Sequence, residues 1–265
     1  MKYLKLILAA CFLFVVDFGY GEEVSKAFMH KYESGEVICI NKRGSTMRAK
    51  ESFSTERTPQ EERVIYKFTS HGEGNYDKYK DIIWDVTAEM EEKEDFLYPL
   101  YSIRVIKDKQ GRIIVTSNRR YDYDKQKIYF TVSDGEGKII KNKEFSIKGK
   151  TVDGDILTSF LKTFVAHLNK SGYLTFYLLS SEPRLYKTTI KVTSHEVLEL
   201  PIGKINTIKL RLIPDLGGVE GIVPPTFVWY AEGEPHDWLK YEGLETGLGS
   251  THIITYISKK EPTPK

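Results

Sequence analysis

Apolar and polar side chains alternate through most of the chain. Val64, Tyr66 and Phe68 alternate with Arg63 and Lys67; Tyr101, Ile103 and Val105 with Ser102 and Arg104. Ile190 and Val192 alternate with Thr189 and Lys191, and Ile208, Leu210 and Leu212 with Lys209 and Arg211. A period of two predicts strands with one buried and one wet face, the habit of antiparallel sheets. Asp108-Lys109-Gln110-Gly111 and Asp134-Gly135-Glu136-Gly137 fall between such runs and read as hairpin connections, with glycine supplying positive φ. About ten to twelve strands fit between residues 36 and 257 at this spacing.

One segment has a different period. In DGDILTSFLKTFVAHLNKSG, Ile156, Leu157, Phe160, Leu161, Phe164, Val165 and Leu168 form one stripe of an α-helix. Asp153 or Asp155 can cap its start, and Gly172 can stop it. A single amphipathic helix among strands is expected to lie against the concave face of the sheet. A second, short helix is expected over residues 22–34, with Val24, Ala27, Phe28 and Tyr32 on one face and Gly35 as its stop.

The first 21 residues read as a separate unit. Lys2 and Lys5 precede an apolar run from Leu6 to Val16, and Gly19 and Gly21 stand where a signal peptidase reads small residues. This predicts a signal peptide over 1–21, cleavage before Glu22, and a periplasmic or secreted product without a membrane span. Leu8-Ala9-Ala10-Cys11 also has the shape of a lipobox, which would anchor the protein through lipid on Cys11. That alternative fits less well, because only about five apolar residues precede Cys11 where roughly 7–15 are usual. The remaining chain reads as one β-rich domain over 22–258 and a disordered tail over 259–265.

Composition narrows the class. The formal charge is +2, with acidic and basic residues interleaved, which gives no basic patch for nucleic acid. Lys187, Lys191, Lys209 and Arg211 charge the outer strand positions and argue against a lipid-facing outer-membrane barrel. After cleavage only Cys39 remains, in the apolar run Val37-Ile38-Cys39-Ile40, so no internal disulfide is available and a buried thiol is expected. The aromatic content, 12%, suits a sheet with a large half-buried face.

Candidate chemistry is sparse. The histidines His30, His71, His167, His195, His236 and His252 show no metal-ligand spacing, and no GxSxG elbow occurs. No catalytic residue, metal site or cofactor is assigned, and an enzyme using scattered polar groups is the least favoured reading. Asp134-Gly135-Glu136-Gly137 and Gly247-Leu248-Gly249-Ser250 read as turns, and Tyr121-Asp122-Tyr123-Asp124 as a strand end. The stretch PPTFVWYAEGEPHDWLKYEGLETGLGS is the most distinctive. Trp229, Tyr230, Trp238 and Tyr241 fall on two strand patterns joined by Glu232-Gly233-Glu234-Pro235. Their rings either fill the core or line a cavity for an apolar ligand, with Trp229, Trp238 and Tyr241 as its candidate contacts.

The order of these elements carries a resemblance. An export leader is followed by Gly35-Glu36 opening the first strand, Tyr121-Asp122-Tyr123 leading into a strand, and the helix start Asp155-Ile156-Leu157-Thr158-Ser159-Phe160. Pro201-Ile202-Gly203 then turns into Lys209-Leu210-Arg211, and a tryptophan hairpin closes the chain from Trp229 to Tyr241. In this order the chain resembles the exported bacterial domain-of-unknown-function family 3108 over roughly residues 33–257, departing at Ala231-Glu232-Gly233-Glu234, where members tend to have a simpler acidic turn. The resemblance implies a mainly β fold: an antiparallel sheet curled into a half-barrel, with one long amphipathic helix on its concave face. It is similar to the lipoprotein-localisation factors, which hold acyl chains in an apolar groove, and it implies no catalytic residues. The expected function is that of a cell-envelope protein binding a lipid, acyl chain or other hydrophobic ligand in its curved sheet. The alternative is an interaction or assembly protein, partnered by other envelope proteins, whose sheet is filled by its own helix.

Overall fold

A computed structural model describes residues 32–60, 63–93, 96–165, 168, 171–218, 223–246 and 250–260. The leader, Cys11, the stretch 22–31, His30, His167, residues 247–249 and residues 261–265 lie outside the described residues.

Fifteen strands form one sheet. They are β1 (Tyr32–Asn41), β2 (Met47–Gln60), β3 (Arg63–Tyr76), β4 (Tyr79–Lys93), β5 (Phe96–Asp108), β6 (Ile113–Asp122), β7 (Lys127–Asp134) and β8 (Ile139–Ser146). After β9 (Thr151–Asp153) comes the helix α1 (Leu157–Lys162), then β10 (Tyr173–Leu179), β11 (Leu185–Leu200), β12 (Gly203–Pro214), β13 (Thr226–Ala231), β14 (Trp238–Leu244) and β15 (His252–Lys260). The spatial order runs from β8 back to β1, then β15 back to β9. Each neighbour is a hairpin partner except where β1 meets β15 and where β9 meets β10. The β9–β10 pair is parallel, because α1 carries the chain across between them.

The sheet is open by hydrogen bonding, yet it curls on itself. Its inner face forms one core with residues from both halves, among them Tyr66, Phe68, Trp84, Val86, Leu210, Val228 and Tyr230. The predicted helical stripe sits inside: Ile156, Phe160, Leu161, Val165 and Leu168 are fully buried in that core. Phe160 packs edge-on against Phe96 of β5 at 4.9 Å, and Tyr230 Oη of β13 donates to Thr158 O at 2.7 Å. α-Helical bonding is interrupted in mid-stripe and resumes beyond it, with Leu168 N–H bonded to Phe164 O and Gly172 N–H to Leu168 O, each at 2.7 Å. The N–H and the hydroxyl of Thr163 both bond to Phe160 O, and Phe164 N–H bonds to Leu161 O, which tightens the backbone to a three-residue repeat.

Two boundaries differ from the expectation. Tyr32, Glu33 and Ser34 are strand, not the end of a helix, because they pair with Glu56, Thr55 and Ser54 of β2. Lys259 and Lys260 extend β15 opposite Glu36 and Gly35. Asp108 and Asp134 each accept the N–H groups that turn the hairpins β5–β6 and β7–β8, where Gly111 and Gly137 have φ of +81° and +82°. Among the described residues, no helix is long and apolar enough to cross a membrane.

Candidate functional site

At one end of the inner face lies a cavity of about 90 Å³. Alternation brings its walls together: Val37 and Cys39 from β1, Ala49 and Glu51 from β2, Tyr76 from β3, Trp84 from β4, and Ile253 and Thr255 from β15. Trp84 lies flat because its cross-strand partner is Gly72; a Cβ there would stand 2.1 Å from the indole Cε2. The Tyr76 and Trp84 rings have centroids 5.5 Å apart, tilted by 37°.

Two carboxyl groups face this end. Glu245 is neutralised: Arg48 donates to both its oxygens at 2.7 and 3.3 Å, and the Asp77 N–H donates at 2.8 Å. Glu51 has no ion pair among the described residues. Burial pushes its carboxyl above the usual range, only partly offset by Ser70 and by the positive field of Arg104. The Cys39 thiol is pushed up to about 11 by burial, so it stays protonated and is a poor nucleophile.

A buried polar cluster stands beside the cavity and closes the curl. Arg119 of β6 pairs with Asp153 of β9 at 3.2 Å and with Asp155 in the turn before α1. Asp153 also accepts from Ser102 at 2.7 Å and Tyr121 at 2.8 Å, and its other oxygen caps the turn through Asp155 N–H. Arg104 of β5 pairs with Asp155 at 2.9 Å, donates to Tyr76 Oη and lies over the Tyr76 ring. Against their burial, Arg104 and Arg119 hold Asp155 below the usual carboxylate range, whereas burial leaves Asp153 raised. The cluster thus ties the edge strand β9 to β5 and β6, near the opposite edge of the sheet. Among the described residues, no group of three His, Cys, Asp or Glu is arranged to hold a metal.

The three sequence candidates separate. Trp238 and Tyr241 pack against the inner core, and Tyr241 stands beside Cys39 and Glu245. Trp229 alternates to the other face from Val228 and Tyr230, which belong to the inner core. It is 2% exposed, covered by Lys240 and Lys209 at 4.3 and 5.0 Å from its ring centroid, with Nε1 donating to Glu196 at 2.5 Å. Sequence reasoning missed Glu51, Tyr76, Trp84 and the Arg119 cluster. The one available signal was a strand-forming segment with a carboxylate at an inward position.

No family model matches the chain, and no curated protein matches it. Solved structures do. The chain is similar to a β-barrel-like protein of domain-of-unknown-function 1849 from Brucella abortus, with a TM-score of 0.50 at 10% identity over 88% of this chain and 97% of that one. Weaker likeness extends to a predicted lipoprotein from Parabacteroides distasonis, with a TM-score of 0.38 at 4% identity over 88% and 96% of the two chains. A predicted exported protein with a YmcC-like fold from Bacteroides fragilis gives 0.35 at 7% identity over 87% and 95%. At 10% identity the likeness to the Brucella abortus protein concerns the fold alone, and it agrees with a curled, barrel-like sheet.

Proposed function

We propose that the chain is an exported cell-envelope protein that binds one hydrophobic or amphipathic guest on the inner face of its sheet and does no catalysis. The observation that carries this reading is the cavity beside Trp84, with its apolar walls Val37, Ala49 and Ile253. Trp238 and Tyr241 extend the same face. At about 90 Å³ the cavity is smaller than the ~150 Å³ that admits benzene to an engineered apolar core. It therefore suits a small group or the end of a chain; a whole acyl chain requires α1 to give way. The leader pattern of residues 1–21 supports a periplasmic or secreted protein, and the order of elements supports kinship with family 3108.

A second reading has its own observation. The helical stripe already fills most of the curl, with five of its apolar side chains fully buried. On that reading the protein is an assembly module with no guest. Titration with a fluorescent fatty acid decides between them: saturable uptake supports binding, and no uptake leaves the filled barrel. Intact mass of the exported product tests the compartment. A product beginning at Glu22 supports cleavage, and a diacylglycerol-modified Cys11 overturns it.

A further inference from the structure

We infer that the cavity takes a small alkylated ammonium group, with Glu51 as its counter-ion and the Tyr76–Trp84 pair as its aromatic wall. The inference rests on the binding reading above and names the chemistry of the guest.

Charge balance comes first. Around the cavity stand four carboxyl groups, Glu51, Asp153, Asp155 and Glu245, and three guanidinium groups, Arg48, Arg104 and Arg119; Lys50 also borders it, but alternates to the opposite face of β2 from Glu51 and is exposed. Arg48 belongs to Glu245, Arg104 to Asp155, and Arg119 to Asp153 and Asp155. Glu51 is left over: of the two carboxyl groups that line the cavity, Glu245 is held by Arg48 and Glu51 has no ion pair among the described residues. Burying a lone carboxylate is costly, which raises the Glu51 carboxyl above its usual range; a cationic guest offsets that cost.

The walls select the kind of cation. An indole and a phenol ring at 5.5 Å offer the electron-rich faces that attract ammonium groups. Arg104 occupies one side of the Tyr76 ring, but its charge is matched by Asp155 at 2.9 Å. A primary ammonium needs acceptors for three N–H groups. The rest of the lining is apolar at Val37, Ala49, Ile253 and the Cys39 thiol, and polar at Lys50, Asn75, Thr255 and Glu245, the last already held by Arg48. Alkyl groups on nitrogen suit the apolar part of these walls, because they need no hydrogen bonds and cost less to desolvate.

Calorimetry on the full exported chain tests this with two probes of one shape, choline and its uncharged analogue 3,3-dimethylbutanol. Choline is expected to bind saturably and at least tenfold more tightly than dimethylbutanol, with Glu51→Gln removing the difference. Equal binding of the two probes, or undiminished choline binding by a folded Glu51→Gln variant, overturns the ammonium assignment. The wild type supplies an independent readout. The groups around Glu51 are Ser70 of β3, Trp84 of β4, Arg104 of β5 and Asp155 before α1, with Arg48, Glu245 and Cys39 nearby. Choline affinity is expected to rise with pH as Glu51 gives up its proton, and a pH-independent affinity overturns the inference. Flotation with phosphatidylcholine and phosphatidylglycerol vesicles separates two sources of the same group: binding to phosphatidylcholine vesicles alone assigns a lipid headgroup, and binding to free choline alone assigns a soluble guest. If neither choline nor phosphatidylcholine binds while the fatty-acid probe does, this inference fails and the binding reading stands. If that probe fails as well, both fall.

Discussion

Replacing Arg119 by methionine keeps the volume of the side chain and removes its charge. The loss concentrates on Asp153. Asp155 retains Arg104 at 2.9 Å, while Asp153 keeps only neutral donors, Ser102, Tyr121 and the Asp155 N–H. Arg119 and Asp153 are both fully buried, so the carboxylate cannot recruit water as a substitute. Removing one partner of such a pair costs about 3–5 kcal/mol, against the roughly 0–1 kcal/mol of an exposed pair. Urea melts of wild type and Arg119→Met at neutral pH measure the difference. Part of the penalty should return in acid. Burial raises the Asp153 carboxyl even with Arg119 present, so without its counter-ion it holds a proton at still higher pH and the buried charge disappears. Adding Asp153→Asn to Arg119→Met should recover part of the stability, so that the two changes are not additive. A loss below about 1 kcal/mol for Arg119→Met, or strictly additive effects of the two changes, would show that the sheet is held closed by its apolar core alone.

Leu161→Ala should cost about 2–5 kcal/mol in a urea melt, since Leu161 is fully buried in the inner core; an unchanged midpoint would mean that α1 is only lightly docked. Trp229→Ala should lower stability by about 3–5 kcal/mol and leave fatty-acid uptake unchanged in the folded fraction, because Trp229 packs on the outer face; lost uptake at full stability would contradict that placement. The Glu51 carboxyl titrates higher in the fold than in the unfolded chain, so folding takes up a proton and wild-type stability falls as pH rises above the unfolded value of about 4.3. Glu51→Gln should therefore gain on wild type between melts at pH 5 and pH 8, and a constant difference would show that Glu51 is ordinary. Gly72→Ala forces the Trp84 indole from its place and should cost about 1–3 kcal/mol with a shift in tryptophan emission; an unshifted spectrum at unchanged stability would argue against the flat packing.

The strands that could be read from the sequence are those whose inner face is simply apolar. Ile208, Leu210 and Leu212 of β12 alternate with charged residues and are buried as alternation requires. The apolar stripe that begins in α1 worked for the same reason; Thr163 turns its bonds back onto Phe160 and interrupts the α-helical bonding, which resumes at Leu168 and Gly172. The strands that were hard to read fail in two physical ways. β8 is an edge strand, exposed over nearly all its length, so nothing requires its side chains to alternate. β2 is hidden for the opposite reason. Its inward positions are Ala49, Glu51, Phe53 and Thr55, one aromatic among small and polar groups, because it borders the cavity. The same residues that blur the hydrophobic pattern of β2 make the candidate site. Arg119 shows this more sharply. As Asn118-Arg119-Arg120-Tyr121 it reads as one more solvated charge, yet its burial depends on Asp153, 34 positions later and on a strand of only three residues. Local periodicity reports which side chains must avoid water. A buried carboxyl or guanidinium is permitted only by a partner elsewhere in the chain, so its position becomes visible once the sheet has curled. In this protein those positions are where a guest is expected.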